Sequence, residues 1–116
     1  MKDKKKWMMA AVVATGALIG RICYECRHFT TEYYDVASDK IPEAFEGFRF
    51  VVLSDLHNYD FDQGNRQLLG AIERLKPDAV MIAGDMIDAH PGADMSAAVR
   101  MVRDLCDRWP VYFGNG

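Results

Sequence analysis

The sequence predicts an α/β fold built on a parallel sheet and preceded by a helix that targets a membrane. Apolar runs dense enough for buried strands alternate with stretches whose apolar residues recur at helical spacing, which is typical of parallel sheets. An uncharged N-terminal segment that follows a lysine cluster predicts the targeting helix. The chain has 116 residues, 50% of them hydrophobic and 27% charged, and this composition excludes collagen-like and wholly disordered proteins.

The first 24 residues are predicted to be a basic tail followed by a signal anchor. Residues 7–20 carry no charge, and Arg21 follows them. At about 1.5 Å per residue they span roughly 21 Å, short of a hydrocarbon core of about 30 Å, so residues 22–24 would have to extend the helix. A cleaved signal peptide and a buried helix of a soluble domain remain alternatives. Residues 7–24 are expected to contact the membrane, as the single span of a cell-membrane protein. The lysines before the span predict a cytoplasmic N-terminus and an extracytoplasmic body.

Charge is distributed unevenly along the chain. The first six residues carry +3, so the remainder carries −6 of the net charge of −3. An acidic body argues against nucleic-acid binding, which needs a basic surface to displace counterions from phosphates, but suits carboxylates that hold cations. Cys23 and Cys26 form a lone C-x-x-C pair, without the second ligand pair of a structural zinc site, and with Cys106 they are too few for a disulfide framework.

The remaining chain divides into a linker and a domain. Residues 25–46 are predicted to be a linker, in which residues 31–36 (TEYYDV) have the composition of an edge strand. The domain is placed at residues 47–116 and should run strand, helix, strand, helix, strand. Its parallel crossovers would place ligands beyond the carboxyl ends of the strands. The strands are expected at residues 48–54, 79–83 and from 111 onward, and the helices around residues 68–75 and 98–109.

Potential metal ligands follow the first two predicted strands. Asp55 and His57 stand two residues apart, and alternate residues of an extended segment point the same way, so their oxygen and nitrogen donors can converge on one cation. Asp85 follows Gly84, and its two oxygens could bridge two metals; Asp88 can turn back towards the same cleft. Mixed oxygen and nitrogen donors suit Zn, Mn or Fe. Each aspartate could alternatively be a turn former or helix cap, but two motifs at successive strand ends make coincidence less plausible.

These motifs resemble those of the calcineurin-like metallophosphoesterases, whose pattern opens with Asp-x-His and continues with Gly-Asp-x-x-Asp. The chain has SDLH at residues 54–57 and GDMID at residues 84–88, spaced about thirty residues apart as in that family. The sequence PVYF at residues 110–113 is similar to the strand that leads to the third motif. The resemblance covers residues 48–116 and points to the membrane-associated branch. It implies the N-terminal half of a metallophosphoesterase α/β/β/α sandwich.

The resemblance also implies roles for individual residues. Asp55 and His57 would ligate the first of two divalent metal ions, with Mn, Fe or Zn expected, and Asp85 would bridge both. Asp88 would be the catalytic residue, through a hydrogen bond to a histidine of the third motif that sits beside the leaving group. The implied reaction is hydrolysis of a phosphomonoester or phosphodiester by a water that the two metals activate.

The third motif, Gly-Asn-His, is incomplete in these 116 residues. If it began at Gly114-Asn115, Gly116 would stand where the family has histidine. We place its start at Gly116 instead, because residues 113–115 supply the spacing that the family has between the strand's opening Val-Tyr and the motif glycine, and we expect the chain to be an N-terminal fragment of a larger enzyme. A receiver-like or dehalogenase-like phosphoacceptor domain is the first rival interpretation, but His57 occupies the place where it needs an acid. The second rival is a non-catalytic membrane-anchored remnant that binds at most one cation.

Several polar residues near these motifs are given structural roles. Asn58 is interpreted as a loop residue rather than a substrate contact. Asp60 and Asp62 are expected to cap the following helix. His28 and His90 are interpreted as solvated loop histidines.

Overall fold

The structure, a computed structural model, describes residues 2–25 and 27–115 and divides the chain into two compact units. The first unit extends to Tyr34 and contains helix α1 (Lys2–Glu25). Residues Lys4–Glu25 of α1 form a candidate membrane span with a mean hydropathy of 1.5, and none of this window is buried in the structure. A helix of 22 residues is about 33 Å long, enough to cross a hydrocarbon core of roughly 30 Å.

The end of α1 is held by local contacts. The Arg21 guanidinium pairs with the Glu25 carboxylate at 2.9 Å, one turn apart on the helix. The ring of His28 stacks on Tyr24 with 3.9 Å between centroids, and its Nδ1 lies 2.7 Å from the Tyr24 carbonyl oxygen. This agrees with the interpretation of His28 as a loop residue. Cys26 lies outside the described residues, so the C-x-x-C pair stays a sequence prediction.

The edge strand expected at residues 31–36 is wrong. These residues have no regular secondary structure, and Tyr33, Tyr34 and Val36 are each about four-fifths exposed. Aromatic and β-branched residues favour a strand only where a neighbouring strand supplies backbone partners and a face to pack against. The Tyr34 hydroxyl instead donates to the Glu32 carboxylate at 2.5 Å, and this hydrogen bond raises the pKa of Tyr34.

The second unit, from Asp35 onward, begins with a short 3₁₀ helix (Glu43–Phe45) and contains a three-stranded parallel sheet. Its strands are β1 (Phe50–Leu53), β2 (Ala79–Ile82) and β3 (Val111–Phe113), in the order β1-β2-β3. The register pairs Val52 with Met81 and Met81 with Tyr112. The predicted parallel α/β order is therefore confirmed, although β1 is shorter at both ends than its apolar run.

Two amphipathic helices, α2 (Arg66–Leu75) and α3 (Ser96–Cys106), connect the strands. Helix α3 ends three residues earlier than expected, and the backbone N–H groups of Arg108 and Trp109 close its end on the Leu105 carbonyl. The buried apolar side chains come from both helices, β2 and the loops after β1 and β2. They are Leu56, Leu68, Leu69, Ile72, Ala79, Val80, Ile82, Met86, Ala97, Ala98, Met101 and Leu105.

The start of β1 is tied to the start of β2. The Arg49 N–H donates to the Asp78 carboxylate at 2.8 Å, and the Asp78 N–H donates back to the Arg49 carbonyl at 2.9 Å. Lys76 ends α2 in the left-handed conformation, with φ of 50°, just before the buried Pro77. The contacts between Arg49 and Asp78 set the strand register at the amino ends of β1 and β2, opposite the ends that the candidate ligands follow.

The loop between β1 and α2 is organised around a fully buried asparagine, Asn65. Its Oδ1 accepts from the Phe61 N–H at 2.8 Å, and its Nδ2 donates to the Tyr59 carbonyl at 3.2 Å.

The Asp60 carboxylate accepts from the N–H groups of Gly64 and Asn65, so it stabilises the turn that leads into α2. Asp62 contributes its backbone carbonyl, which accepts from Arg66 N–H, instead of the side-chain cap that the sequence suggests.

Candidate metal centre

Asp55 and His57 follow β1 in a turn rather than in an extended segment. Asp55 has φ of 59° and His57 has φ of 46°, so the expectation that strand geometry aligns their side chains is wrong. Between them Leu56 is buried, 5% exposed, whereas both potential ligands are exposed. Burial of Leu56 in the core thus leaves Asp55 and His57 exposed on either side of it, and both positions have left-handed backbone.

The loop after β2 repeats this arrangement. Gly84 and Asp85 have φ of 101° and 52°, and the following residue, Met86, is buried as Leu56 is. The two loops run side by side beyond the strand ends. The Asp55 N–H donates to the Gly84 carbonyl at 3.4 Å, and the His57 N–H donates to the Asp85 carbonyl at 3.1 Å. Backbone pairing therefore continues from the sheet into the loops that carry the candidate ligands.

These two loops bring together the three residues expected to bind metal. Asp55, His57 and Asp85 each offer a ligand atom, and these atoms all lie within 4.8 Å of one another. His57 Nε2 is 3.6 Å from Asp55 Oδ1, while Asp55 Oδ2 accepts from the Ser54 hydroxyl at 2.6 Å. Ser54 thus orients one carboxylate oxygen of Asp55, and the other oxygen lies next to the imidazole of His57.

The donor set fits a divalent metal of the Zn, Mn or Fe type. Two donors bound to one ion at about 2.1 Å each lie at most about 4.2 Å apart, so a spread of up to 4.8 Å needs only small rotamer adjustments. The three side chains are exposed, which leaves room for such adjustments, and Ser54 holds one oxygen of Asp55 meanwhile. Two carboxylates and an imidazole also provide the mixture of hard and borderline ligands that these metals accept.

The comparison with known families agrees with this donor set. Residues 48–115, more than half of the chain, match the family described as calcineurin-like phosphoesterase. This chain belongs to that family. The match begins just before β1 and ends after β3, so both loops that carry the candidate ligands lie inside it. Calcineurin-like phosphoesterases generally use divalent metals, and the Asp, His and Asp donors are consistent with that use.

A curated relative links the family to a membrane. It is a protein of Danio rerio described as "Transmembrane protein with metallophosphoesterase domain", and it is 30% identical to this chain over 84 residues. The matched segment makes up 71% of this chain and 19% of the relative, so the chain spans about a fifth of that relative's length. No solved structure matches the chain.

Other residues singled out by the sequence lie outside the ligand group. Asp88 is exposed, and its backbone carbonyl accepts a hydrogen bond from the side chain of Asn58. Asn115 is exposed beyond β3, where the Gly114 N–H donates to the Ile82 carbonyl at 2.8 Å.

His90 lies in the exposed loop before α3, as its interpretation as a loop residue requires. Gly116, the preferred start of the third motif, lies outside the described residues.

Asn58 lies in a loop, as its sequence interpretation requires, and it also connects the two loops. It has φ of 60°, its N–H donates to the Met86 carbonyl at 3.1 Å, and its side chain crosses to the loop after β2. The signal available in the sequence was an asparagine immediately after a potential ligand at a strand end. Asparagine tolerates left-handed backbone better than most residues and also brings an amide donor, so it suits a turn that must contact a second loop.

Proposed function

We propose that this chain carries part of the catalytic centre of a metal-dependent phosphoesterase, in which water hydrolyses a phosphomonoester or phosphodiester. The observation that supports this most directly is the convergence of Asp55, His57 and Asp85 at the carboxyl ends of β1 and β2, where parallel sheets bind ligands. Membership of the calcineurin-like phosphoesterases makes phosphate-ester hydrolysis the reaction that best suits these donors.

Each residue has a proposed task in this reaction. Asp55 and His57 would hold one metal ion, and Asp85 would lie between that ion and a second. When bound, the two ions supply Lewis acidity, which lowers the pKa of water and neutralises charge on the phosphoryl oxygens. Asp88 would orient a histidine beside the leaving group. The Ser54 hydroxyl holds the Asp55 carboxylate, which limits its rotation at the site.

The proposal is tested by metal binding to the 116-residue chain in detergent. Equilibrium dialysis with Mn²⁺ should find one ion per chain, because the three converging donors can complete one site. The His57→Ala variant should lose most of this binding, whereas His90→Ala, which removes a histidine outside the group, should not. Equal binding by all three proteins, or none by the unmodified chain, would contradict the proposed metal site.

A non-catalytic, membrane-anchored protein that binds a single cation is the alternative function. The exposure of all three ligands and the small size of the group are consistent with it. Ion stoichiometry separates the two functions, because phosphoesterase chemistry of this kind needs two ions in a complete site. A complete version that still held only one ion would favour the alternative.

We also propose that α1 anchors the protein in the cell membrane with its lysine-rich end in the cytoplasm and the second unit outside. The apolar span and the transmembrane relative support the anchor, and the positive charge before the span supports the orientation. A phosphate ester of the membrane or the cell envelope would then be the nearest substrate. The acidic body gives no support for a nucleic-acid partner.

The orientation predicts the accessibility of a single cysteine. Cys106 is exposed and free, so a variant with Cys23→Ser and Cys26→Ser should sediment with membranes and react with an impermeant thiol reagent in intact cells. A matched variant with its only cysteine at position 3, through Asp3→Cys, keeps all four lysines and should react only after permeabilisation. The reverse pattern would show that the orientation is inverted.

A further inference from the structure

The side chain of Asn58 joins two loops that are thirty residues apart in the sequence. Its Nδ2 donates to the Asp88 carbonyl oxygen at 2.7 Å, a short hydrogen bond for an amide donor. The amide orientation follows from this contact, because only the nitrogen can face a carbonyl acceptor. The Oδ1 atom is buried and has no hydrogen-bond partner among the described residues. The half-buried side chain of Asn58 is therefore held in place by the hydrogen bond that its Nδ2 donates to Asp88.

This bond extends the pairing between the two loops. Three backbone hydrogen bonds join residues 55, 57 and 58 to residues 84, 85 and 86, and the side chain of Asn58 adds a fourth at Asp88. The first of the three is long, 3.4 Å from nitrogen to oxygen. Beyond the ends of β1 and β2, these four hydrogen bonds act together with the burial of Leu56 and Met86 to set the separation of the two loops.

We infer that Asn58 is a positioning residue that fixes the loop carrying Asp55 and His57 against the loop carrying Asp85. This inference rests on the proposed function, because it assigns Asn58 to the same metal site. Ligands must be held to within about 0.5 Å for tight metal binding, and here they come from both loops. Asn58 lies next to His57 and meets both local demands: it accepts φ of 60°, and it donates across the gap.

The test removes the side chain while keeping the backbone conformation. Asn58→Gly retains the left-handed turn but loses the amide donor. Gln63→Gly is the matched control, because Gln63 is an exposed amide residue of the same loop with φ of 42°, and its side chain accepts a hydrogen bond from the nearby Arg66. Both variants are made in the full chain, and three quantities are compared with the unmodified protein: Mn²⁺ affinity, the Co²⁺ absorption spectrum and amide hydrogen exchange without metal.

Asn58→Gly should raise the Mn²⁺ dissociation constant about tenfold, the lower end of the effect of losing a residue that orients metal ligands. The bands of bound Co²⁺ should shift, because the ligands adopt a different geometry. The amide of His57, which donates to the Asp85 carbonyl, should exchange about fivefold faster. Gln63→Gly should leave the Mn²⁺ affinity and the exchange rate within twofold of those of the unmodified chain, and the Co²⁺ bands should not shift. Equal unfolding midpoints in the two variants would show that the effect of Asn58→Gly is local to the loops.

Hydrogen exchange keeps this inference separate from the proposed function. If the unmodified chain bound no metal, the proposed function would fail, and the exchange rate of His57 would still decide the role of Asn58. A second variant, Asn58→Asp, keeps the size of the side chain but cannot donate when ionised, and it should accelerate exchange to the same extent. Unchanged exchange in both variants, or Mn²⁺ affinity within twofold in Asn58→Gly, would overturn the inference.

Discussion

Replacing Asp85 by asparagine should reduce phosphoesterase turnover more than any other single change at the candidate metal centre. Turnover should fall by more than 100-fold, the upper end of the roughly 10- to 100-fold loss that is typical when a residue that orients a metal ligand is replaced. Asparagine keeps the shape of the side chain but removes the negative charge, and in the proposed site Asp85 shares that charge between two ions. Asp55→Asn should weaken mainly one ion and cost less.

The comparison is made in a longer chain in which the later motifs of the calcineurin-like phosphoesterases follow these residues. Turnover of a chromogenic phosphodiester and the number of bound Mn²⁺ ions would be measured for Asp85→Asn, Asp55→Asn and Asp107→Asn. Asp107 follows α3 and is exposed, so its variant controls for the loss of one charge elsewhere. Unchanged turnover in Asp85→Asn, or a larger loss in Asp55→Asn, would show that Asp85 does not bridge two ions.

The 116-residue chain by itself should hydrolyse no phosphate ester above the background of its His57→Ala variant. Within the described residues, the Asp55, His57 and Asp85 group can offer three ligands to one ion, but a second ion would have only the shared Asp85. One carboxylate cannot hold a divalent ion against water well enough to assemble the pair. A longer chain in which the later family motifs follow these residues should be active, because those motifs would supply further ligands.

An uncovered sheet face supports the same expectation. Val52, Met81 and Tyr112 lie side by side across the three strands and are 40% to 61% exposed. Exposed apolar rows of this kind promote association, so the short chain should be less soluble than the longer version. Mn²⁺-dependent hydrolysis, bound ions per chain and solubility would be measured for both. Turnover by the short chain that His57→Ala abolishes would contradict the prediction and would require the third motif to be reassigned to Asn115.

Much of the fold could be predicted because its pattern is local. The apolar run before Asp55 and the run before Gly84 became β1 and β2, and the apolar spacing of Leu68, Leu69 and Ile72 became the buried face of α2. The strand expected at residues 31–36 failed because strand formation depends on a partner that residue composition does not specify.

The residue types that stand at the ends of β1 and β2, and therefore the side chains that could share a metal ion, follow from the amino-acid sequence alone. The way in which they meet is a property of the folded chain: left-handed backbone at Asp55, His57 and Asp85, with Leu56 and Met86 buried in the core, leaves the potential ligands exposed. A strand and its parallel neighbour follow from local periodicity, whereas the conformation of each loop depends on hydrogen bonds to a segment some thirty residues away.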